Sequence, residues 1–405
     1  MTDLSFDAGM TLDRVKPRQS WWANMLLSSV RHGRLTLVTP SGTRLTHTPA
    51  SPGPEGVMVL HRWRTLKRLL TGGDVAGAEA FLDGDWSSPD LPALIELVAR
   101  NDALVRTIAG SWFARALNRL RHRLNANTRR GARRNIERHY DLGNAFYRLW
   151  LDPGMSYSSA IYATGSERLE DAQTAKQDRA IDLMGLSGGE RVLEIGCGWG
   201  GLAERMLRRG AGHVTGLTLS PAQLSHATEH LADAGMSDRS TIQLRDYRDS
   251  AGTYDRIVSI EMIEAVGEAW WPSYFATIRD RLKPGGIAVL QAITIAEDRF
   301  EDYRSSADFI QRYIFPGGML PTVPELHRQI ARAGLELRSA ETFGDSYART
   351  LAEWRRRFHA AWADIQPLGF DDRFRRIWDY YLSYCEAGFR AAATDVGLYV
   401  VSRPA

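Results

Sequence analysis

The stretch VLEIGCGWGG (192–201) runs from apolar residues through Glu194 into four glycines, ahead of a helical segment at 201–209. Gly196, Gly198 and Gly200 at this spacing permit a tight turn, close approach of a ligand to the backbone, and access to the free N–H groups that open a helix. The layout suits a nucleotide. It is not G-x-G-x-x-G, and no Walker lysine follows, so the dinucleotide and P-loop fingerprints are both incomplete. A purely structural glycine turn is the plain alternative. A second apolar run ends in GLTLSPAQ (216–223), where a dinucleotide fold would place a carboxylate for the ribose hydroxyls. Thr218, Ser220 and Gln223 stand there instead, neutral groups able to bind the same diol. After a third run, RDYRD (245–249) offers Asp246 as an acceptor for an adenine amino group and Tyr247 as a ring to pack on the base. Read alone, that pentapeptide is a surface turn.

These groups need a frame. From about residue 135, strands near 190–195, 212–219, 240–244, 254–260, 286–294, 336–342 and 395–402 alternate with helical segments, which predicts a doubly wound parallel sheet. The last strand follows long helices and is expected to enter antiparallel at the edge. Residues 1–110 read as a smaller α+β domain containing strand-like GRLTLVTPSGTRL, helical LPALIELVAR and a Pro/Gly-rich loop at 48–56. The fold class is therefore α/β, with domains at 1–110 and 135–405 joined by a linker at 111–134.

That linker is basic: Arg115, Arg119, Arg121, Arg123, Arg129, Arg130, Arg133 and Arg134 occur with no acidic residue among them. Phe113, Leu117, Leu120 and Leu124 share one helical face, so an amphipathic helix on an anionic membrane is one reading. Nucleic acid would attract the same charge, and a solvated interdomain helix is the bland alternative. Two cysteines, Cys197 and Cys385, suggest neither a disulfide framework nor a thiolate metal cage. No apolar stretch approaches the ~20 residues of a membrane span, and the first ten residues lack the pattern of a signal peptide. A cytoplasmic protein is expected.

Together the glycine turn and its companions resemble an S-adenosylmethionine-dependent methyltransferase of the Rossmann-like class I. RRNIERHYDLGNAFYRLWLDPGMSYSSAIY (133–162), SIEMIEAVGEAWWPSYF (259–275), QRYIFPGGMLP (311–321) and CEAGFRAAATDVGLYVVSR (385–403) narrow the resemblance to the cyclopropane fatty acid synthase family. GAEAFLDGDW resembles that family's N-terminal domain, so the likeness covers nearly the whole chain. It implies that the methyl of S-adenosylmethionine goes to a cis double bond of a phospholipid acyl chain, leaving a carbocation that closes to a ring by losing a proton. It also implies peripheral association with the inner face of an anionic membrane and no nucleic-acid partner, and it leaves a homodimer open.

By the same resemblance, Tyr140, Tyr157 and Ser158 fold over the cofactor, with Ser158 suited to the methionine carboxylate. Glu264 matches the family's active-site glutamate and Tyr347 its tyrosine. The pair is expected to hold a bicarbonate ion as base, with a backbone group near Ile293 as a further contact. Two positions depart from the family's usual pattern: Ser159 replaces a cysteine and Gln291 a histidine. Both can still hydrogen-bond an anion, but neither titrates near neutral pH. The departure leaves a second product open, a methyl-branched or unsaturated chain, for which a partner oxidoreductase would be needed if the cation were reduced. A small-molecule N-methyltransferase and a non-catalytic lipid-binding protein are the remaining alternatives.

Overall fold

The computed structural model describes residues 17–101, 104, 142–305 and 307–405. The chain divides into two compact units, and the division is not a single break near residue 110. The smaller unit joins the early part of the chain to Ser305–Tyr313 and Phe370–Ala393. Its late helix, Asp372–Arg390, sets Tyr380 against Phe81 with ring centroids 5.5 Å apart and against Phe309 at 4.6 Å.

The sheet of this unit has the order β2-β1-β3-β4, from β1 (His32–Val38), β2 (Arg44–His47), β3 (Ser51–Leu60) and β4 (Trp86–Ser87). The stretch at 48–56, expected as a loop, instead supplies the start of β3. Its prolines lie where the register with β1 shifts, between His32 and Arg34, a place that tolerates missing donors. Glycine makes the approach feasible: a Cβ on Gly33, at φ 87°, would lie 2.2 Å from the Pro54 carbonyl oxygen. Nearby, the Asp85 side chain is fully buried and accepts from Arg62 at 2.8 Å, from Arg64 at 2.7 Å and from Arg68 at 3.1 Å. Burial alone would raise its pKa, but the bonds from Arg64 and Arg62 overcome that and hold it at about 2.

The larger unit is built on seven strands in the order β10-β11-β9-β8-β5-β6-β7. They are β5 (Arg191–Ile195), β6 (His213–Thr218), β7 (Ser240–Leu244), β8 (Tyr254–Ile260), β9 (Leu282–Ile295), β10 (Glu336–Thr342) and β11 (Thr394–Ser402). Strands β5 to β9 pair in parallel, and β11 runs antiparallel to both β9 and β10. The last strand is thus antiparallel as expected, but it is internal. Its side chains are buried almost without interruption, as a strand covered on both faces requires, while the mostly exposed ELRSAET of β10 takes the edge.

Neighbouring strand residues divide between two cores, the mark of helices on both faces. Leu193, Ile257 and Ala288 pack with Trp271, Tyr274 and Phe275. Val192, Val258 and Val289 pack with Ile181, Met184 and Met206. The strand order reverses at β5, which lies between β6 and β8, and ligands of open α/β sheets bind outside the carboxyl ends at such a point. Glu261 and Glu264 follow β8, the glycine turn follows β5, and Gln291 lies late in β9. Tyr140 and the arginines of the linker fall outside the described residues. Among those described, no helix is long and apolar enough to cross a membrane.

Candidate active site

The turn after β5 is locked to its neighbour: the N–H groups of Gly196 and Cys197 both donate to the Leu217 carbonyl, at 3.0 and 2.9 Å. Gly196, Gly198 and Gly200 have φ of 84°, 51° and 92°, conformations that glycine adopts without penalty. A Cβ on Gly196 would sit 2.5 Å from the Met262 side chain, whereas one on Gly198 would enter open space. Gly198 therefore leaves its backbone accessible. Glu194 is buried beneath this turn, and burial pushes its pKa up to about 8 despite the charge of Lys176. Its Oε2 has no hydrogen-bond partner. A buried carboxylate oxygen in that state fits a cationic ligand group.

Lys176 itself is buried. Burial lowers its pKa, opposed by the carboxylates of Glu261, Asp152 and Glu194. Its Nζ donates to Ser158 Oγ at 2.7 Å, so Ser158 is held by a cation beside the turn. Beyond β6, Ser220 caps the helix Pro221–Asp233 by accepting from the Gln223 N–H, and Thr218 Oγ1 donates to Gln223 Oε1 at 2.7 Å. Those bonds leave the Gln223 Nε2 outside the network. Asp246 is clamped by Arg248, whose Nη2 lies 2.5 Å from Oδ2. Tyr247 has a different environment from the one expected: its ring meets Tyr274 edge-on at 5.5 Å within the core, and Arg248 lies over it. A ring so enclosed does not offer a free face to adenine.

The second half of the site follows β8. Glu264 is half-buried; its Oε1 accepts from the Ile293 N–H at 2.6 Å, while Oε2 is enclosed and has no partner. Burial, and then the charge of Glu261, push its pKa up to about 8. Tyr347 and Glu264, the two residues expected to hold an anion between them, bond to different partners. Tyr347 donates its hydroxyl to Glu261 Oε2 at 2.7 Å, because the end of β8 turns Glu261 rather than Glu264 toward it. Glu261 Oε1 accepts from the Ser159 N–H at 2.8 Å and from Gln291 Nε2 at 2.7 Å. The Ser159 hydroxyl donates instead to the Ala160 carbonyl, so this residue contributes its backbone. The Ile293 amide donates to Glu264. Burial raises the Glu261 pKa, against the bonds from Ser159 and Tyr347 and the charge of Lys176.

Glu261 and Lys176 are the two residues that the sequence reading missed. Glu261 lies three positions before Glu264, and no spacing signal in the sequence separates the roles of the two glutamates. Lys176 lies in a helix, Leu169–Met184, whose polar appearance conceals one buried cation.

Aromatic rings connect the two halves. From the glycine turn, Trp199 lies 5.1 Å from Tyr147, which lies 5.5 Å from Tyr157. Tyr157 lies 5.3 Å from Trp354, and Trp354 meets Tyr347 edge-on at 6.2 Å. Such faces attract cations and exclude water. The arrangement can hold a nucleotide-like cofactor, shelter positive charge and present a buried carboxylate.

A sequence profile described as mycolic acid cyclopropane synthetase matches residues 127–398, well over half of the chain. The chain is 38% identical to the tuberculostearic acid methyltransferase UfaA1 of Mycobacterium tuberculosis, over 94% of this chain and 91% of that one. It is 36% identical to the cyclopropane-fatty-acyl-phospholipid synthase of Escherichia coli, over 83% and 85%. The structure of the mycolic acid cyclopropane synthase CmaA1, complexed with SAH and CTAB, superposes with a TM-score of 0.63 at 29% identity, covering 67% of this chain and 98% of that one. S-adenosylmethionine is the cofactor, and the open backbone at Gly198 and the unpartnered Glu194 oxygen fit it. The chain belongs to the mycolic acid cyclopropane synthetase family and is an S-adenosylmethionine-dependent methyltransferase acting on lipid.

Proposed function

We propose that the enzyme transfers the methyl carbon of S-adenosylmethionine to a cis double bond in an unsaturated phospholipid acyl chain and closes a cyclopropane ring. The observation that carries this reading is the continuous run of rings from Trp199 to Tyr347, which joins the cofactor turn to a buried carboxylate site. When bound, the cofactor supplies an electrophilic methyl on a sulfonium. An alkene is a weak nucleophile, so the protein must align it and exclude water. Tyr157, the partly exposed ring among those around Trp354, is the one placed to face the carbocation that methylation leaves, and a carboxylate removes the proton. The basic linker would bring the enzyme to the inner face of an anionic membrane, where the substrate lies.

A second reading is a methyl-branched or unsaturated product. It draws on Ser159 and Gln291, which depart from the usual pattern, and on the relative at 38% identity, which is named for methyl transfer rather than cyclopropanation. Mass spectrometry of lipids from cells expressing the protein tests both. A ring and an unsaturated branch each make the acyl chain heavier than its unsaturated parent by one CH₂, a branch formed by reduction of the cation makes it heavier by CH₄, and the absence of both gains would overturn both readings. Under mild hydrogenation, a ring keeps its mass and an unsaturated branch takes up hydrogen.

A further inference from the structure

We propose that Glu261 is the base of the reaction, a carboxylate built into the chain at the place where an external anion would otherwise bind. The proposal rests on the alkene-methylation reading above. Three neutral donors converge on this side chain, the Ser159 N–H, Gln291 Nε2 and the Tyr347 hydroxyl, at 2.7–2.8 Å. Such a ring of donors is what a small oxyanion needs, and here it is already filled. The backbone bears a cost for it. Glu261 has φ 49°, in the left-handed region that non-glycine residues rarely occupy, and strain of this kind persists where the surroundings enforce it.

The charges support the assignment. The charge of Glu261 raises the pKa of Glu264, so the two carboxylates do not both ionise readily. Glu264, which accepts one backbone hydrogen bond and is pushed up to about 8, takes the protonated state. Glu261, with three donors and the charge of Lys176 acting in its favour, keeps the negative one. Gln291 donates at any pH, so no imidazole is required beside a tethered carboxylate.

In the step itself, the alkene π electrons form the new bond to the transferred methyl, and the C–S electron pair stays on sulfur. A C–H bond of that methyl then breaks. Its electron pair forms the second ring bond to the cationic carbon, and the proton passes to Glu261. No oxidant or further reactant is needed.

The test uses full-length enzyme, unsaturated phospholipid vesicles and bicarbonate-depleted buffer. Wild-type turnover should not change when bicarbonate is added. Glu261→Gln, which fills the same space but cannot accept the proton, should lose about 10²-fold or more, without rescue. Glu261→Gly relieves the strained φ and opens the donor ring, so added bicarbonate should restore part of its lost turnover. Binding of ¹³C-labelled bicarbonate, followed by NMR, reads the same site without catalysis: absent in wild type, saturable in Glu261→Gly. Bicarbonate-dependent wild-type turnover, or full activity in Glu261→Gln, would overturn the proposal. If wild type methylates no acyl chain while the NMR contrast holds, the alkene reading fails and the anion-site assignment stands.

Discussion

Tyr347 donates its hydroxyl to Glu261 Oε2 at 2.7 Å across 86 residues of sequence, tying the helix Gly344–Ala360 to the end of β8. This bond lowers the Glu261 pKa against the effect of burial. Removing it in Tyr347→Phe should raise that pKa, so the acid limb of the turnover–pH profile should move to higher pH. Turnover should fall by about 10-fold or more, with cofactor affinity little changed. An unmoved acid limb would assign Tyr347 to packing alone.

Gly198 is the position where the turn leaves its backbone open. A side chain there would occupy ligand space and would also meet φ 51°. Gly198→Val should weaken S-adenosylmethionine binding by ~1–3 kcal/mol or more. Calorimetry on the folded variant checks this, and near-normal affinity would mean that the cofactor lies elsewhere.

Glu194, pushed up to about 8 by burial, must ionise to receive a cationic group. Cofactor affinity should therefore rise with pH between about 6 and 7.5, approaching tenfold per unit. Glu194→Gln should flatten that slope and weaken binding. The stability effect has the opposite sign. A carboxyl group raised in the folded state favours folding most below its unfolded pKa, and the contribution is lost as pH rises through about 8. Unfolding of the ligand-free protein across that window would show it.

Asp85 anchors the smaller unit through three arginines, two of which are more than half exposed. Allowing for screening of those partners, Asp85→Asn should cost ~1–3 kcal/mol. Since its folded pKa is depressed to about 2, its contribution is present above about 3.8 and lost as pH falls through 2. Denaturant titration should show a smaller loss of stability on acidification in the variant.

The linker lies outside the described residues, so its role is open to direct measurement. Replacing Arg129, Arg130, Arg133 and Arg134 by glutamine should weaken sedimentation with anionic vesicles by up to ~1 kcal/mol per residue. Added salt should weaken wild-type binding in the same direction. Binding that ignores both changes would make the linker a spacer.

The glycine turn and all seven strands of the larger sheet were legible because apolar runs and glycine spacing are local signals. The interior place of β11 was not, since it depends on β10 taking the edge. Helix Asp372–Arg390 joins the smaller unit through contacts such as Tyr380 with Phe81, which no sequence period announces. At the site, motif resemblance pointed to Glu264, Tyr347, Ser159 and Gln291 but not to their centre. Three donors from distant segments meet on Glu261, a convergence that no local spacing announces. Tyr247 misled for a related reason: a ring beside a turn reads as available until its core neighbours are known.

In the reaction proposed for this enzyme, methyl carbon is added to an acyl-chain alkene. Purified enzyme, vesicles of a defined cis-unsaturated phospholipid and S-adenosylmethionine carrying a trideuterated methyl group test it most directly. Mass spectrometry should find one added carbon on the acyl chain with two deuteriums retained, in a product that resists mild hydrogenation. An unlabelled acyl chain, with three deuteriums on a headgroup nitrogen instead, would mean that the alkene is not the methyl acceptor.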